Sequence, residues 1–290
     1  MSQSLSVVII TLNEEANLGR TLASVSELVR QTNGEIIVVD SGSTDRTVEI
    51  AKSFGAKVFV EPWKGYAGQK NSAIDKATGD WILSLDADEE ATNELQKTVF
   101  LSLRFLERQE LPNPEGDWLH NLVGIRDPKA TAGFRIRRRN FFMRRPLKWG
   151  GFYPDPKLRL VRKSRAKFQD RSVHEDMILP EGEIAEIWTP ILHHAYPTLR
   201  SYIGHMNRYS TLGAEMAVGE KPRGFSLWNI VVRPWATFIY NYFLRLGFLD
   251  GKEGLLLHMY HAVYVSWKYA KAWELSRAPG DRAIGRPNHL

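Results

Sequence analysis

Trp81-Ile82-Leu83-Ser84-Leu85-Asp86-Ala87-Asp88-Glu89-Glu90 is the stretch on which the reading of this chain turns. A short apolar run rich in β-forming residues ends abruptly in carboxylates, as a buried strand does when it delivers acids to its C-terminal edge. Asp86 and Asp88 are two residues apart, so in an extended segment they lean to one side. Hard carboxylate oxygens suit Mg²⁺ or Mn²⁺, ions that take one or two carboxylates and complete their shell with substrate phosphates. The competing reading is a strand end followed by a helix start, with Asp88, Glu89 and Glu90 favouring the helix dipole.

The residues before this stretch repeat its pattern. Leu5-Ser6-Val7-Val8-Ile9-Ile10-Thr11 is a nearly continuous β-branched run, expected for a strand covered on both faces. Asn13 to Asn17 opens a helix with apolar residues at Leu18, Leu22, Val25 and Leu28/Val29, and Asn33-Gly34 stops it. Ile36 to Val39 is a second strand ending in Asp40, and Lys57 to Val60 a third ending in Glu61. A helix over Tyr66 to Ala77 leads to the fourth strand. This alternation predicts an α/β fold with a doubly wound, mostly parallel sheet, and ligands in such sheets bind beyond the carboxyl ends of the strands. Thr11, Asn13 and Glu14, then Asp40, Glu61 and Asp86/Asp88, all stand at those ends. A G-x-G-x-x-G after the first strand and a G-x-x-x-x-G-K-[ST] are both absent, which argues against a dinucleotide fold and a P-loop nucleotidase.

Four motifs, VVIITLNEE, VVDSGSTDRT, GQKNSA and GDWILSLDADEE, occur in that order within the first ninety residues. Together they resemble the nucleotide-sugar motifs of family 2 glycosyltransferases with the GT-A fold. The resemblance implies that Thr11 and Glu14, with Asn13 between them, line the nucleotide pocket and that Asp40 bonds the base. It places Lys70 and Asn71 near the sugar diphosphate, Asp86 near the ribose or sugar, and Asp88 on the metal. RRRNFF, GGFYPD, KLRL and VHE further resemble the branch containing lipopolysaccharide core glucosyltransferases, out to about residue 180, with a departure between Met143 and Trp149. Glu175 then fills the position of the base, with Asp176 as the alternative. An inverting transfer needs one carboxylate within reach of the acceptor hydroxyl, opposite the departing diphosphate.

Between Asp127 and Asp170 the chain carries fourteen Lys/Arg against three Asp, although its net charge is only +6. Such a segment attracts an anion: the donor diphosphate, to which Arg159 is assigned, an acceptor phosphate, or an acidic membrane face. His193-His194 and His258/His261 have no cysteine beside them, which argues against zinc, and His258/His261 lie in an aromatic helix where packing is the expected role. From Thr198 the character changes. Phe225 to Leu249 and Gly254 to Trp273 are packed with aromatics but broken by charge or proline. They predict amphipathic helices lying in a membrane surface, with a soluble helical cap or dimer interface as the alternative.

The 290 residues, 43% of them hydrophobic, suffice for one large domain with an appendage. The expected division is 1–110 as the nucleotide-sugar half, 111–195 as the acceptor and base half, 196–278 as amphipathic helices and 279–290 as a tail. No cysteine is present, which suits a reducing compartment, and Met1-Ser2-Gln3-Ser4 runs straight into a strand, so no secretory leader is expected. The expected place is cytoplasmic, peripheral on the inner face of the cell membrane. The function expected is inverting transfer from a nucleotide-sugar donor, of the UDP type, to a lipid-linked or lipopolysaccharide-core glycan. Two other classes compete: a sugar-nucleotide nucleotidyltransferase, which wants a glycine-rich loop where Thr11-Leu12-Asn13-Glu14 stands, and a basic nucleic-acid-binding protein, which leaves the strand-end acids unexplained. No nucleic-acid partner is therefore expected.

Overall fold

The strand ending in Asp86 lies in the middle of a mixed sheet. The computed structural model describes residues 3–108, 120–169, 176–179, 181–220 and 224–277. β1 (Leu5–Thr11), β2 (Glu35–Asp40), β3 (Lys57–Val60) and β4 (Trp81–Asp86) run parallel in the order β3-β2-β1-β4. Helices α1 (Leu18–Gln31), α2 (Thr47–Ser53) and α3 (Tyr66–Lys76) make the crossovers. A short strand, β5 (Glu89–Ala91), and α4 (Asn93–Arg108) follow. Of the residues read from the sequence as a possible helix start, Glu89 and Glu90 are therefore extended, and Asp88 lies in the turn between β4 and β5.

The remaining strands are β6 (Leu122–Val123), β7 (Thr131–Phe142), β8 (Arg145–Pro146), β9 (Asp155–Arg162), β10 (Lys167–Gln169), β11 (Asp176–Ile178) and β12 (Glu183–Tyr196). β9 pairs antiparallel with β4, and the sheet continues β9-β7-β12-β5. β10 and β11 form a separate antiparallel pair. The fold class is thus α/β with a mostly parallel N-terminal sheet, as the strand–helix alternation predicts.

Alternation along each strand sorts the side chains to two faces. Leu5, Val7 and Ile9 of β1 pack with Leu18, Leu22 and Val25 of α1 and with Leu95 and Val99 of α4. Val8 joins Ile37, Val39 and Ile82 against Ala73 and Ile74 of α3 on the other face. A sheet covered on both sides needs continuous apolar strands, which is why the first four read as they do. At the opposite edge from Asp86, Glu35 ties three chain segments together. Its carboxylate accepts from Ser6 Oγ at 2.8 Å, Thr78 Oγ1 at 2.7 Å and Lys57 Nζ at 2.6 Å, and from the Thr78 backbone N–H.

Contacts divide the chain into two compact units, 1–140 with 154–195, and 141–153 with 196–290. Residues 141–153, read from the sequence with the acceptor half, cluster with the C-terminal helices. The second unit contains α5 (Leu199–Glu220), a π-helical turn over Trp228–Val232, α6 (Arg233–Ile239), a second π-helical turn over Tyr240–Leu244, and α7 (Gly251–Arg277). Arg233-Pro234 does not break this run: the Ile230 carbonyl, four residues before Pro234, accepts from Ser266 Oγ at 2.8 Å in place of the N–H that proline lacks. Phe142, Leu147, Tyr202 and Leu257 form its core, and buried Asp250 accepts the backbone N–H groups of Lys148 and Trp149. His258 is buried against the Phe152 ring, with centroids 5.6 Å apart.

Burial would raise the Glu35 carboxyl, but its bonds from Lys57, Thr78 and Ser6 outweigh this and lower it from 4.5 to about 2. The folded-state value lies below the unfolded one, so the stabilisation is full above pH 4.5 and is lost as the pH falls toward about 2. Glu35→Gln should remove on the order of 2 kcal/mol at pH 7 and flatten the acid limb of the stability profile, measured by urea unfolding at several pH values.

Candidate active site

Backbone register brings the strand-end residues to one level. Thr11 stands opposite Asp40, and Ile10 opposite Asp86, so the ends of β2, β1 and β4 lie side by side. Strands are spaced about 4.8 Å apart, which puts the Asp40 and Asp86 backbones roughly 10 Å from each other on one edge.

Asp40 is fully buried and its carboxylate is occupied from within. Oδ1 accepts from Thr11 Oγ1 at 2.9 Å and Ser43 Oγ at 2.5 Å; Oδ2 accepts from the N–H groups of Gly42 at 2.9 Å and Ser43 at 2.8 Å. A bond to a nucleotide base at Asp40 would therefore have to share one of these oxygens. Asn13 links the same two loops: its N–H donates to Ser43 Oγ at 2.8 Å and its Oδ1 accepts the Thr44 N–H at 2.9 Å. It does so at φ 54°, a left-handed conformation that Asn tolerates better than most residues. Glu14 Oε2 accepts from Asn17 Nδ2 at 2.9 Å. Burial raises the Glu14 carboxyl, and repulsion from Asp88, Asp45 and Asp86 adds to the rise. These acids share one field, as a cation-binding rim requires.

Asp86 and Asp88 are in different electrostatic situations. Lys70 Nζ lies 2.9 Å from Asp86 Oδ1, and Arg159 Nη2 lies 2.6 Å from Asp86 Oδ2 and 2.5 Å from Glu89 Oε1. Lys70 and Arg159 are both buried. Burial alone would raise the Asp86 carboxyl, but the charges of Arg159 and Lys70 hold it well below the usual carboxylate range. The same pairing raises the Arg159 guanidinium against its own burial. Asp86 thus meets two cations. Asp88 lies beside His193, whose Nε2 is 3.5 Å from Asp88 Oδ2. Burial raises the Asp88 carboxyl too, and the His193 contact more than offsets it.

The two histidines of β12 point to opposite sides, as neighbours in a strand must. His194 Nε2 lies 3.1 Å from Glu90 Oε2, and Arg20 is 3.8 Å from the same oxygen. Asp88 and His193 are the pair suited to a divalent ion. Among the described residues no three His, Asp or Glu side chains converge into a metal cage. A hard divalent ion with two protein donors takes its remaining ligands from diphosphate oxygens and water, so the residues present fit an ion that arrives with its substrate.

Asn71, expected near the sugar diphosphate, is bonded to the backbone of Phe168. Its Nδ2 donates to Phe168 O at 2.9 Å and its Oδ1 accepts the Phe168 N–H at 2.8 Å, clamping β10 to α3. Lys70 also lies over the Phe168 ring, 5.2 Å from its centroid. Glu61 is spent on Lys76 at 2.6 Å and Lys64 at 2.9 Å. Glu175 lies outside the described residues, in the connection between β10 and β11, and Asp176 is described only as the first residue of β11. Sequence reasoning missed Glu89, Arg138, Asn140 and Asp155, and weighed His193 only as a zinc ligand, which it set aside. Glu89 is fully buried and accepts the Asp86 N–H at 3.0 Å, as well as the bond from Arg159. Arg138 donates to Asp155 Oδ2 from Nε at 2.9 Å and Nη2 at 2.7 Å, and its Nη1 lies 3.5 Å from Glu89 Oε1. The one signal was the length of the acidic run: a third and fourth carboxylate after Asp88 need partners if they are buried.

The profile of glycosyl transferase family 2 matches residues 6–104. A lipopolysaccharide core biosynthesis glycosyltransferase, LpsC of Rhizobium meliloti, is 31% identical over 93% of this chain and 92% of its own length. An uncharacterized glycosyltransferase of Rickettsia typhi is 29% identical over 94% of this chain and 88% of its own. A mannosyltransferase of Pyrobaculum calidifontis, solved with GDP-Man and Mn²⁺, superposes with a TM-score of 0.49 at 15% identity, covering 94% of this chain and 85% of that one. Full-length similarity to LpsC, together with the profile match across the four parallel strands, makes this chain a glycosyltransferase that belongs to glycosyl transferase family 2.

Proposed function

We propose that the enzyme transfers a sugar, with inversion, from a UDP-type nucleotide sugar to a hydroxyl of a lipid-linked or lipopolysaccharide-core glycan at a membrane surface. The observation that carries the donor half is the unequal treatment of the two aspartates: Asp86 is held by two cations, Lys70 and Arg159, whereas Asp88 lies against the His193 ring. Asp88 and His193 would hold a divalent ion, Mg²⁺ or Mn²⁺, whose charge would offset that growing on the departing diphosphate. Thr11, Asn13, Glu14 and Asp40 shape the nucleotide end, with Asp40 fixing both flanking loops. Lys70 and Arg159 keep Asp86 ionised beside the sugar. Asn71 acts on the acceptor side by anchoring β10, the strand that leads into the segment carrying Glu175.

In the reaction Glu175 accepts the proton of the acceptor hydroxyl as that oxygen bonds to the anomeric carbon. The bond from that carbon to the diphosphate oxygen breaks with its electron pair, and the nucleoside diphosphate leaves on the opposite face. Asp176 is the alternative base. Similarity to LpsC supports a lipopolysaccharide-core acceptor.

The membrane half of the reading rests on the second unit. Leu227 and Trp228 are each 66% exposed, Trp235 is 64% and Leu244 is 71%. Phe225, Ile239, Tyr240, Phe243 and Phe248 are exposed in the same segment. From Gly224 to Leu249 there are two arginines, Arg233 and Arg245, and no Asp or Glu. Exposed Trp, Tyr and Leu with cations and no acids match the headgroup boundary of an anionic bilayer. No helix among the described residues is long and apolar enough to cross a membrane, so the contact proposed is peripheral.

A panel of nucleotide sugars assayed for donor hydrolysis and transfer, with and without Mn²⁺, tests the donor half. Asp88→Ala should lose Mn²⁺-dependent nucleotide binding. Glu175→Gln should bind donor normally and lose transfer by about 10² or more; near-full transfer by that variant would remove Glu175 from the mechanism. For the membrane half, sedimentation with phosphatidylglycerol-containing vesicles should pull down the wild type and bind a Trp228→Ser/Trp235→Ser double variant at least about tenfold more weakly. Equal binding of the two proteins would contradict the proposed face.

A further inference from the structure

The Asp88–His193 pair is held from behind by residues that touch neither donor nor acceptor in the mechanism above. Asn140, on β7, is 9% exposed. Its Oδ1 lies 2.6 Å from His193 Nδ1, and its Nδ2 lies 3.5 Å from Asp155 Oδ2. That same Asp155 oxygen receives both Arg138 bonds, and Arg138 in turn reaches buried Glu89. The order of these groups along the row decides where the hydrogens lie. An ionised carboxylate only accepts, so the Asn140 amide must turn its NH₂ toward Asp155 and its oxygen toward the imidazole. The reverse orientation would set the amide oxygen against a carboxylate oxygen. An acceptor oxygen at 2.6 Å puts the imidazole hydrogen on Nδ1.

A neutral imidazole with its hydrogen on Nδ1 presents a lone pair at Nε2. In this chain Nε2 faces Asp88 Oδ2 at 3.5 Å. A divalent ion that replaces a proton between them would meet a lone pair on one side and a carboxylate on the other. Partners that orient a ligating histidine through its other nitrogen fix its tautomer and raise its basicity. We infer that Asn140, itself oriented by Asp155, is a positioning residue that locks His193 in the Nδ1–H tautomer and so presents Nε2 as the second protein ligand of the ion held by Asp88. The inference rests on the metal reading proposed above.

It also explains the ion pairs behind the site. Arg138 keeps Asp155 charged against its burial, and a charged Asp155 is what forces the amide orientation. The arrangement transmits no proton and needs no movement; it sets one hydrogen on one nitrogen.

The test is Mn²⁺ titration of the full chain at fixed UDP, read by the Mn²⁺ electron paramagnetic resonance signal, for wild type, Asn140→Ala, Asn140→Asp and His193→Ala. UDP binding without metal and thermal melting are recorded for each. Asn140→Ala should weaken Mn²⁺ binding about 10- to 100-fold, the usual effect of removing such a partner, with metal-free UDP binding unchanged. Asn140→Asp keeps an oxygen facing Nδ1–H and should bind Mn²⁺ within a few-fold of wild type. A merely structural role predicts that Asp is as damaging as Ala. The His193 ¹⁵N spectrum of the wild type should show the Nδ1–H form, and Asn140→Ala should shift it toward the other tautomer. Wild-type Mn²⁺ affinity in Asn140→Ala, or equal loss in the Ala and Asp variants, overturns the inference while leaving the metal reading standing. Failure of the wild type to take up Mn²⁺ with UDP overturns both.

Discussion

Two buried cations on one aspartate govern the rest of this site. Lys70 and Arg159 converge on Asp86, and burying three such groups is tolerable only because each finds an opposite charge at hydrogen-bonding distance. Glu89 takes the other side of Arg159 and the Asp86 N–H, so the strand end is clamped by side chain and backbone together. The consequence is selective. The first carboxylate of the Asp-x-Asp pair is committed within the protein, and the second is left to face a histidine. A motif that looks symmetric in sequence is therefore divided in labour by its surroundings.

The sheet order supplies those surroundings. Placing β9 antiparallel beside β4 sets Arg159 against Asp86, and the next two strands, β7 and β12, bring Arg138, Asn140 and His193 to the same edge. Parallel strands alone would offer an acidic rim; the antiparallel extension neutralises half of it. Part of the local charge of residues 127–170 is spent in this way. Arg159 and Arg138 answer the acids of the strand end, Arg162 lies over the Trp81 ring at 4.8 Å, and Arg137 stacks on Trp188 at 4.1 Å.

The first ninety residues were legible because β1, β2 and β4 are largely apolar and each ends in a polar residue, a pattern created by burial on two faces, with β3 a half-exposed edge strand. The four parallel strands, their crossover helices and the strand-end placement of Thr11, Asp40 and Asp86 follow from it. What could not be read was who answers whom. Arg159 meets Asp86 across 73 positions of chain, and His193 meets Asn140 across 53. Nothing in local periodicity encodes either pairing. Glu89 looked like a helix-start acid because two-residue spacing ends at Asp88; only pairing of β5 with β12 shows it buried. Nor could the sequence show that Asn71 clamps the Phe168 backbone, which it can do because an amide offers a donor and an acceptor at once.

The central claim is that the two aspartates have separate employment, one held by buried cations and the other free to bind a divalent ion with His193. A crystal of the full chain grown with Mn²⁺ and UDP, with data collected at the manganese absorption edge, measures this directly. The account predicts a single anomalous peak at coordination distance from Asp88 and His193 Nε2, with Lys70 and Arg159 still bonded to Asp86. A peak coordinated by Asp86 with its two cations displaced, or one remote from Asp88, would contradict it.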